Sequence, residues 1–209
     1  MAKIDNPPSV NRVPRLWPGS TIVCIGLGPS LTAEDVELCR GRARVIAIKT
    51  AIELAPWADV LYSGEIRWWK HYGPSLTFQG LRYGIEPAAS PWATVLKNTG
   101  FSGLEREPFG LRTGLNSGYQ AINLAVHLGA ARIVLLGYDM QDDGTRRHFF
   151  GQHPWASSSL LARFKPMFDG IVQPLKDAGV EILNASRRTA LTCFPRMPIE
   201  DALREAVAA

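Results

Sequence analysis

Apolar residues along this chain gather in short continuous runs divided by turn residues. Thr21–Ile25 (TIVCI), Ala43–Thr50 (ARVIAIKT), Asp59–Glu65 (DVLYSGE), Ala131–Met140 (ARIVLLGYDM) and Val180–Ala185 (VEILNA) are apolar at successive positions rather than alternate ones. Such runs predict strands buried on both faces, as in a parallel sheet covered by helices. Between them the period lengthens. Ala33–Arg40 predicts a helix capped by Thr32, with Asp35 in its first turn. Ala51–Ala55 predicts a short helix closed by Pro56. From Ser117 the positions Ile122, Leu124, Ala125 and Leu128 form one helical face that Gly129 ends. Arg163–Ala178 repeats an apolar face through Phe164, Met167, Phe168, Ile171, Val172 and Leu175, with Pro174 expected to kink or split it. A short helix is expected over Ile199–Val207. The pattern loosens from His71 to Arg112, where Thr94–Gly100 is the expected strand.

Strands alternating with helices predict an α/β fold. The expected architecture is a Rossmann-like open, mostly parallel sheet with helices on both faces. At 209 residues one domain is expected, over 20–209, after a proline-rich lead-in over 1–19. Hydrophobic residues at 46% and charged residues at 20% are ordinary for a globular protein. No run approaches the roughly 18 apolar residues of a membrane span, so a protein with no membrane partner is expected. The first residues lack the apolar stretch of a secretory signal, and Cys24, Cys39 and Cys193 lack metal-like or paired spacing. Together these predict a cytoplasmic protein whose cysteines are small core hydrophobes. A net charge of +4 is compatible with an anionic ligand such as a nucleotide, and leaves DNA open as an acceptor without demonstrating it.

Open α/β sheets bind ligands outside the carboxyl ends of their strands, so residues just past the apolar runs are the candidates. After the first run stands GLGPS, and Gly26, Gly28, Pro29 and Ser30 form a turn able to bring backbone amides to a phosphate. Leu31 occupies the place of the third glycine of a dinucleotide fingerprint, so a simple tight turn is an equal reading. Asn116, Ser117 and Gly118 open a helix and serve either as its cap or as a nucleotide contact. Past the longest run come Asp139, Asp142 and Asp143. Asp139 with Asp142 is a candidate Mg²⁺ pair, and Asp139 a candidate base, although Asp142 and Asp143 before Gly144 also suit an ordinary turn. His148 and His153 follow in HFFGQHP, without helical zinc spacing, and suit proton transfer near neutral pH. Arg146 and Arg147 precede them and are candidates for phosphate oxygens or a solvated face. Trp68 and Trp69 in IRWWKHY either stack on a base or sugar or cover the edge of the core, and His127 is expected to pack on its helix.

GLGPSL, SGYQAINLAVHLGAARIVLLGYDM, HFFGQHP and VEILNASRRTALTCFPRMPIEDAL together resemble the 6-hydroxymethylpterin diphosphokinase-like family. That resemblance implies a Rossmann-like fold, and for the archaeal namesake's activity, Mg²⁺-assisted transfer of diphosphate from ATP to a pterin alcohol. The same segments resemble bacterial sialyltransferases that use a cytidine-monophosphate sugar. There the resemblance implies that Gly28, Pro29, Ser30, Asn116, Ser117 and Gly118 line the nucleotide, and that His148 or His153 activates the acceptor. Lys49 and Thr50 stand where those enzymes tend to carry an asparagine. The expectation is a nucleotide-dependent transferase acting on a hydroxyl-bearing small molecule, diphosphoryl transfer standing first and glycosyl transfer second. A non-catalytic nucleotide-binding or sequestering protein is the third reading.

Overall fold

The computed structural model describes residues 11–155 and 161–204. β1 (Ser20–Ile25), β2 (Arg44–Ile48), β3 (Val60–Ser63), β4 (Leu81–Gly84), β5 (Thr94–Val95), β8 (Ala130–Leu136) and β9 (Glu181–Asn184) form one sheet in the order β5-β4-β3-β2-β1-β8-β9. Every pairing is parallel. The chain steps outward from β1 to β5, then returns to lay β8 on the other side of β1. That reversal opens a crevice between the loops leaving β1 and β8, the place where such sheets hold ligands. The fold is the expected Rossmann-like α/β sheet.

Alternate residues of the central strands enter separate apolar layers. Ile22 and Cys24 of β1 pack with Ile133 and Leu135 of β8 and with α3 (Ser117–Leu128) and α4 (Leu161–Asp177). Val23 and Ile25 pack instead with Val45, Ala47, Val134 and Leu136, beside α1 (Ala33–Glu37) and α2 (Ile66–Tyr72). Burial on both faces explains the uninterrupted apolar runs. Cys24 and Cys39 are buried and free, and burial pushes both thiols up to about 12, so they behave as core hydrophobes. Among the described residues no helix is long and apolar enough to cross a membrane.

Four expectations change. α1 stops at Glu37 rather than Arg40, because tight backbone bonds from Cys39 to Val36 and Arg40 to Glu37 turn the chain into β2. Ala51–Glu53 ends a 3-10 turn, Lys49–Glu53, and Leu54 and Ala55 lie beyond it. α4 continues through both Pro166 and Pro174. The residue four before Pro174 is Gly170, whose lack of a side chain suits it to the Ser102 hydroxyl it packs on. The single strand expected over Thr94–Gly100 is divided at buried Leu96. β5 ends on the main sheet, and β6 (Lys97–Asn98) pairs in parallel with β7 (Gly110–Leu111) as a separate ribbon. The terminal helix is α5 (Ile199–Ala202), and residues 205–207 of the expected helix lie outside the described residues, as does 1–10 of the lead-in.

Candidate functional site

A cleft of about 160 Å³, open to solvent, sits at the β1/β8 crevice. Its walls come from the β1 loop (Gly26, Leu27, Gly28), the end of β2 (Ile48, Lys49), the start of α3 (Asn116, Ser117, Gly118), the β8 loop (Gly137, Tyr138, Met140, Gln141), Arg147, His148, and Leu161 and Phe164 of α4. Seven of the sequence-predicted residues thus come together: Gly26, Gly28, Asn116, Ser117, Gly118, Arg147 and His148. Pro29, Ser30, Asp139, Asp142 and His153 are not part of its lining.

The glycine turn has a packing reason as well as a surface in the cleft. Gly26 N donates to Leu136 O at 2.7 Å and Gly28 N to Gly137 O at 2.8 Å, so the β1 and β8 loops stay bonded past the strands. A Cβ on Gly26 would stand 2.6 Å from Gly137 O, and one on Gly28 would overlap the Asp139 carboxylate. Only glycine fits so close an approach. Asp139 itself is buried, at 1% exposure. Its Oδ2 accepts from Ser30 N at 2.8 Å and its Oδ1 from Ser30 Oγ at 2.9 Å. Burial pushes this carboxyl above its ordinary value, while the Ser30 bonds and Arg188 pull it back. Ser30 Oγ also accepts from Arg188 N at 3.3 Å. Asp139 and Ser30 therefore tie the two loops to each other.

The donor set does not fit the expected Mg²⁺ pair. Both Asp139 oxygens are occupied by Ser30, while Asp142 lies on the exposed turn and accepts from Gly144 N at 3.2 Å. Asp143 is likewise a turn residue, bonded to Thr145 and Arg146, which hold its carboxyl well below the usual range. Among the described residues no three His, Cys, Asp or Glu side chains are grouped as a metal site. A divalent cation needs several oxygen ligands at one point, and these carboxylates do not converge.

The α3 start is held by neighbours on two sides. Asn116 caps it, accepting from Tyr119 N at 3.0 Å. Ser117 Oγ accepts from Gly64 N at 3.1 Å, and Tyr138 donates its hydroxyl to Gly118 O at 3.0 Å. One turn on, Gln120 accepts from the Tyr62 hydroxyl at 2.8 Å and donates to Thr113 O at 3.0 Å. The amides of Ser117 and Gly118 precede the first intrahelical bond and so have no helical acceptor, which suits an anion. Among the described residues three non-glycine positions take left-handed backbone, Lys49 (φ 52°), Leu115 (φ 62°) and Met140 (φ 48°), all at this edge of the sheet. Such strain, about 1–3 kcal/mol each, concentrates at functional sites.

The two histidines lie in a strap that crosses the carboxyl edge. Phe149 N donates to Leu27 O at 3.0 Å, fixing the strap to the β1 loop. The His148 and His153 rings are 5.0 Å apart. His148 stacks on Phe150 at 5.2 Å, and His153 on Trp155 at 4.8 Å. Trp155 in turn meets His71 of α2 at 5.6 Å, so the strap is clamped onto α2 by rings. Burial and Lys49 push both imidazoles down to about 4, with His153 and Arg147 adding to the effect on His148 and Glu65 opposing it on His153. Both are neutral at pH 7, the form that accepts a proton.

Lys49 and Glu65 were not foreseen as site residues. Lys49 Nζ lies 2.6 Å from Glu65 Oε2, and Glu65 Oε1 accepts from Trp155 Nε1 at 3.1 Å. Each closes an apolar run at its polar end, which is the same signal that marked Asp139. Trp68 and Trp69 are core rather than ligand platforms. They are 1% and 0% exposed, and their indole N–H groups donate to Thr50 Oγ1 at 3.2 Å and Ser63 O at 2.9 Å. His127 is buried on α3 with Nε2 at 2.9 Å from Gly110 O. Among known proteins the chain matches no family model, no curated protein and no solved structure.

Proposed function

We propose that the cleft binds the phosphate of a nucleotide and that the protein transfers a group from it to a hydroxyl, with His148 removing the hydroxyl proton. The observation that carries this reading is the charge of the lining: its basic members are Lys49, Arg147 and His148, and among the described residues it contains no carboxylate, Glu65 pairing with Lys49 from outside it. Arg147, the first amides of α3, and Lys49 once it exchanges Glu65 for the ligand suit capture of phosphate. A neutral imidazole beside them is positioned to act as general base, and its basicity rises once an anion offsets the neighbouring positive charge.

Of the two transfers that the sequence resembles, transfer from a nucleotide sugar fits this lining better than diphosphoryl transfer. Protein carboxylates commonly help hold Mg²⁺ on a triphosphate, and here Asp139 is bonded to Ser30 instead. A nucleoside monophosphate leaving group needs only the cations and amides already in place. The acceptor is a hydroxyl-bearing small molecule entering beside His148.

Thermal shift against CMP, CMP-sugars, UDP-sugars, ATP and GTP, with and without Mg²⁺, tests this reading. A ligand at about 100 times its Kd stabilises the fold by roughly 2.7 kcal/mol. Metal-independent stabilisation by a nucleoside monophosphate or nucleotide sugar is the expected result. Stabilisation only by ATP or GTP with Mg²⁺ would restore the diphosphokinase reading. Tight donor binding with no turnover in any acceptor mixture would favour a sequestering protein, and no response to any nucleotide would overturn the proposal.

A further inference from the structure

We propose that Lys49 forms the anion subsite of the cleft and that its occupation passes Glu65 from Lys49 to His153, so that a phosphate-like dianion enters together with a proton. This rests on the reading of the cleft as a phosphate site. Lys49 lies directly after β2, in left-handed backbone, and lines the cleft. Its side chain is 15% exposed and its ammonium is neutralised by Glu65 at 2.6 Å. Glu65 is held from the far side by Trp155 Nε1 at 3.1 Å, and Trp155 is stacked on His153 with rings 7° from parallel. The Nδ1 atom of His153 is buried and has no hydrogen-bond partner.

A largely buried charge needs a counter-charge, and Glu65 supplies it to Lys49. A dianion beside Lys49 takes over that role and leaves Glu65 in excess. A group able to restore balance is His153, which stacks on the Trp155 that holds Glu65 and has an unused ring nitrogen. The groups facing the histidines are few. Glu65 and Lys49 act on His153, while His153, Lys49, Arg147 and the Leu27 carbonyl act on His148. Burial and Lys49 keep both rings neutral. With an anion on Lys49 its repulsion is cancelled, and Glu65 is released to accept from protonated His153. The proton comes from solvent, and no covalent bond changes. The result is a ligand-loaded site in which His148 stays the neutral base while its neighbour carries the charge.

Sulfate is a suitable probe because it does not titrate in the relevant range. The histidine ring resonances of the whole protein are followed by NMR at about pH 6 as sulfate replaces chloride at constant ionic strength. The amides of Lys49, Ser117 and Gly118 are expected to shift with saturation, and the His153 ring to move from its neutral to its protonated position in the same titration. Sulfate affinity then falls by up to about tenfold per pH unit on the alkaline side, as linkage to one proton requires. Glu65→Gln is expected to bind sulfate while His153 remains neutral, with the pH dependence at least halved. His153→Gln, which leaves the Lys49–Glu65 pair intact, is expected to bind sulfate more weakly and with a flat pH response, and it covers the case in which the first variant fails to fold. Sulfate that moves Lys49 while His153 stays neutral overturns the exchange and leaves the phosphate site standing. No shift at Lys49, Ser117 or Gly118 overturns both.

Discussion

Replacing Asp139 distinguishes a carboxylate that holds loops together from one that serves a reaction. Asp139→Ala removes both acceptors of Ser30, its amide at 2.8 Å and its hydroxyl at 2.9 Å, at a site 1% exposed. Hydrogen bonds to a charged group contribute about 1.5–3 kcal/mol each. Burial works against the ionised form here, as the raised carboxyl shows, so the net loss is about 2–4 kcal/mol rather than the full sum. For a chain of this size that corresponds to a fall in Tm of roughly 4–16 °C. Asp139→Asn should recover most of it: the amide oxygen still accepts from Ser30 N, its N–H₂ donates to the Ser30 hydroxyl, and the desolvation cost of the charge disappears. Thermal and urea denaturation of the parent, both variants and an Asp142→Ala control measure this. An alanine variant within 0.5 kcal/mol of the parent, or an asparagine variant as unstable as the alanine one, would refute the structural assignment. Asn retaining stability but losing donor turnover would show that the charge also acts on the reaction.

Gly28→Ala is expected to lose about 2–4 kcal/mol, because its Cβ overlaps Asp139 and lies 2.7 Å from Gly137 O, whereas Gly19→Ala, with open space around it, should cost about 1 kcal/mol in the same denaturation series. The histidines predict an acid-labile strap. Their folded pKa values, about 4, lie below the ordinary value near 6.5, so the unfolded chain takes up protons first as pH falls, and stability present above about pH 6.5 is lost on the way to pH 4. Allowing for mutual coupling and partial exposure, the pair accounts for about 1–2 kcal/mol, and His148→Asn with His153→Asn should flatten the parent's pH–stability curve by that amount. An identical curve in parent and double variant would refute it. Ser117→Ala removes the acceptor of Gly64 N and is expected to cost about 0.5–1.5 kcal/mol in stability while weakening nucleotide affinity, read by calorimetry.

The strands on which the site stands were legible because burial on both faces writes itself as continuous apolar runs: β1, β2, β3, β8 and β9 fall within or within a residue or two of their expected ranges. The edge was not. β4 is four residues long with Leu81 exposed, and the turn of the chain at Leu96 from one sheet to another depends on the Gly84 and Phe109 carbonyls that its neighbourhood meets in space. Strand ends pointed correctly to the crevice, yet they do not say which way a side chain faces. Asp139 closes β8 and turns inward to Ser30, whereas Lys49 closes β2 and lines the cleft. The tryptophan pair illustrates the same limit. Trp68 and Trp69 are adjacent in sequence and so about 100° apart on a helix; α2 packs both into one apolar layer, where Thr50 Oγ1 and Ser63 O receive their N–H groups.

The most direct test of the nucleotide cleft is a titration of isotopically labelled protein with CMP without metal, followed at backbone amides. The account predicts saturable shifts at Gly28, Lys49, Ser117 and Gly118, with Gly41 and Arg132 at the opposite edge of the sheet unmoved. Shifts confined to that opposite edge, or none at millimolar CMP or any other nucleotide, would contradict it.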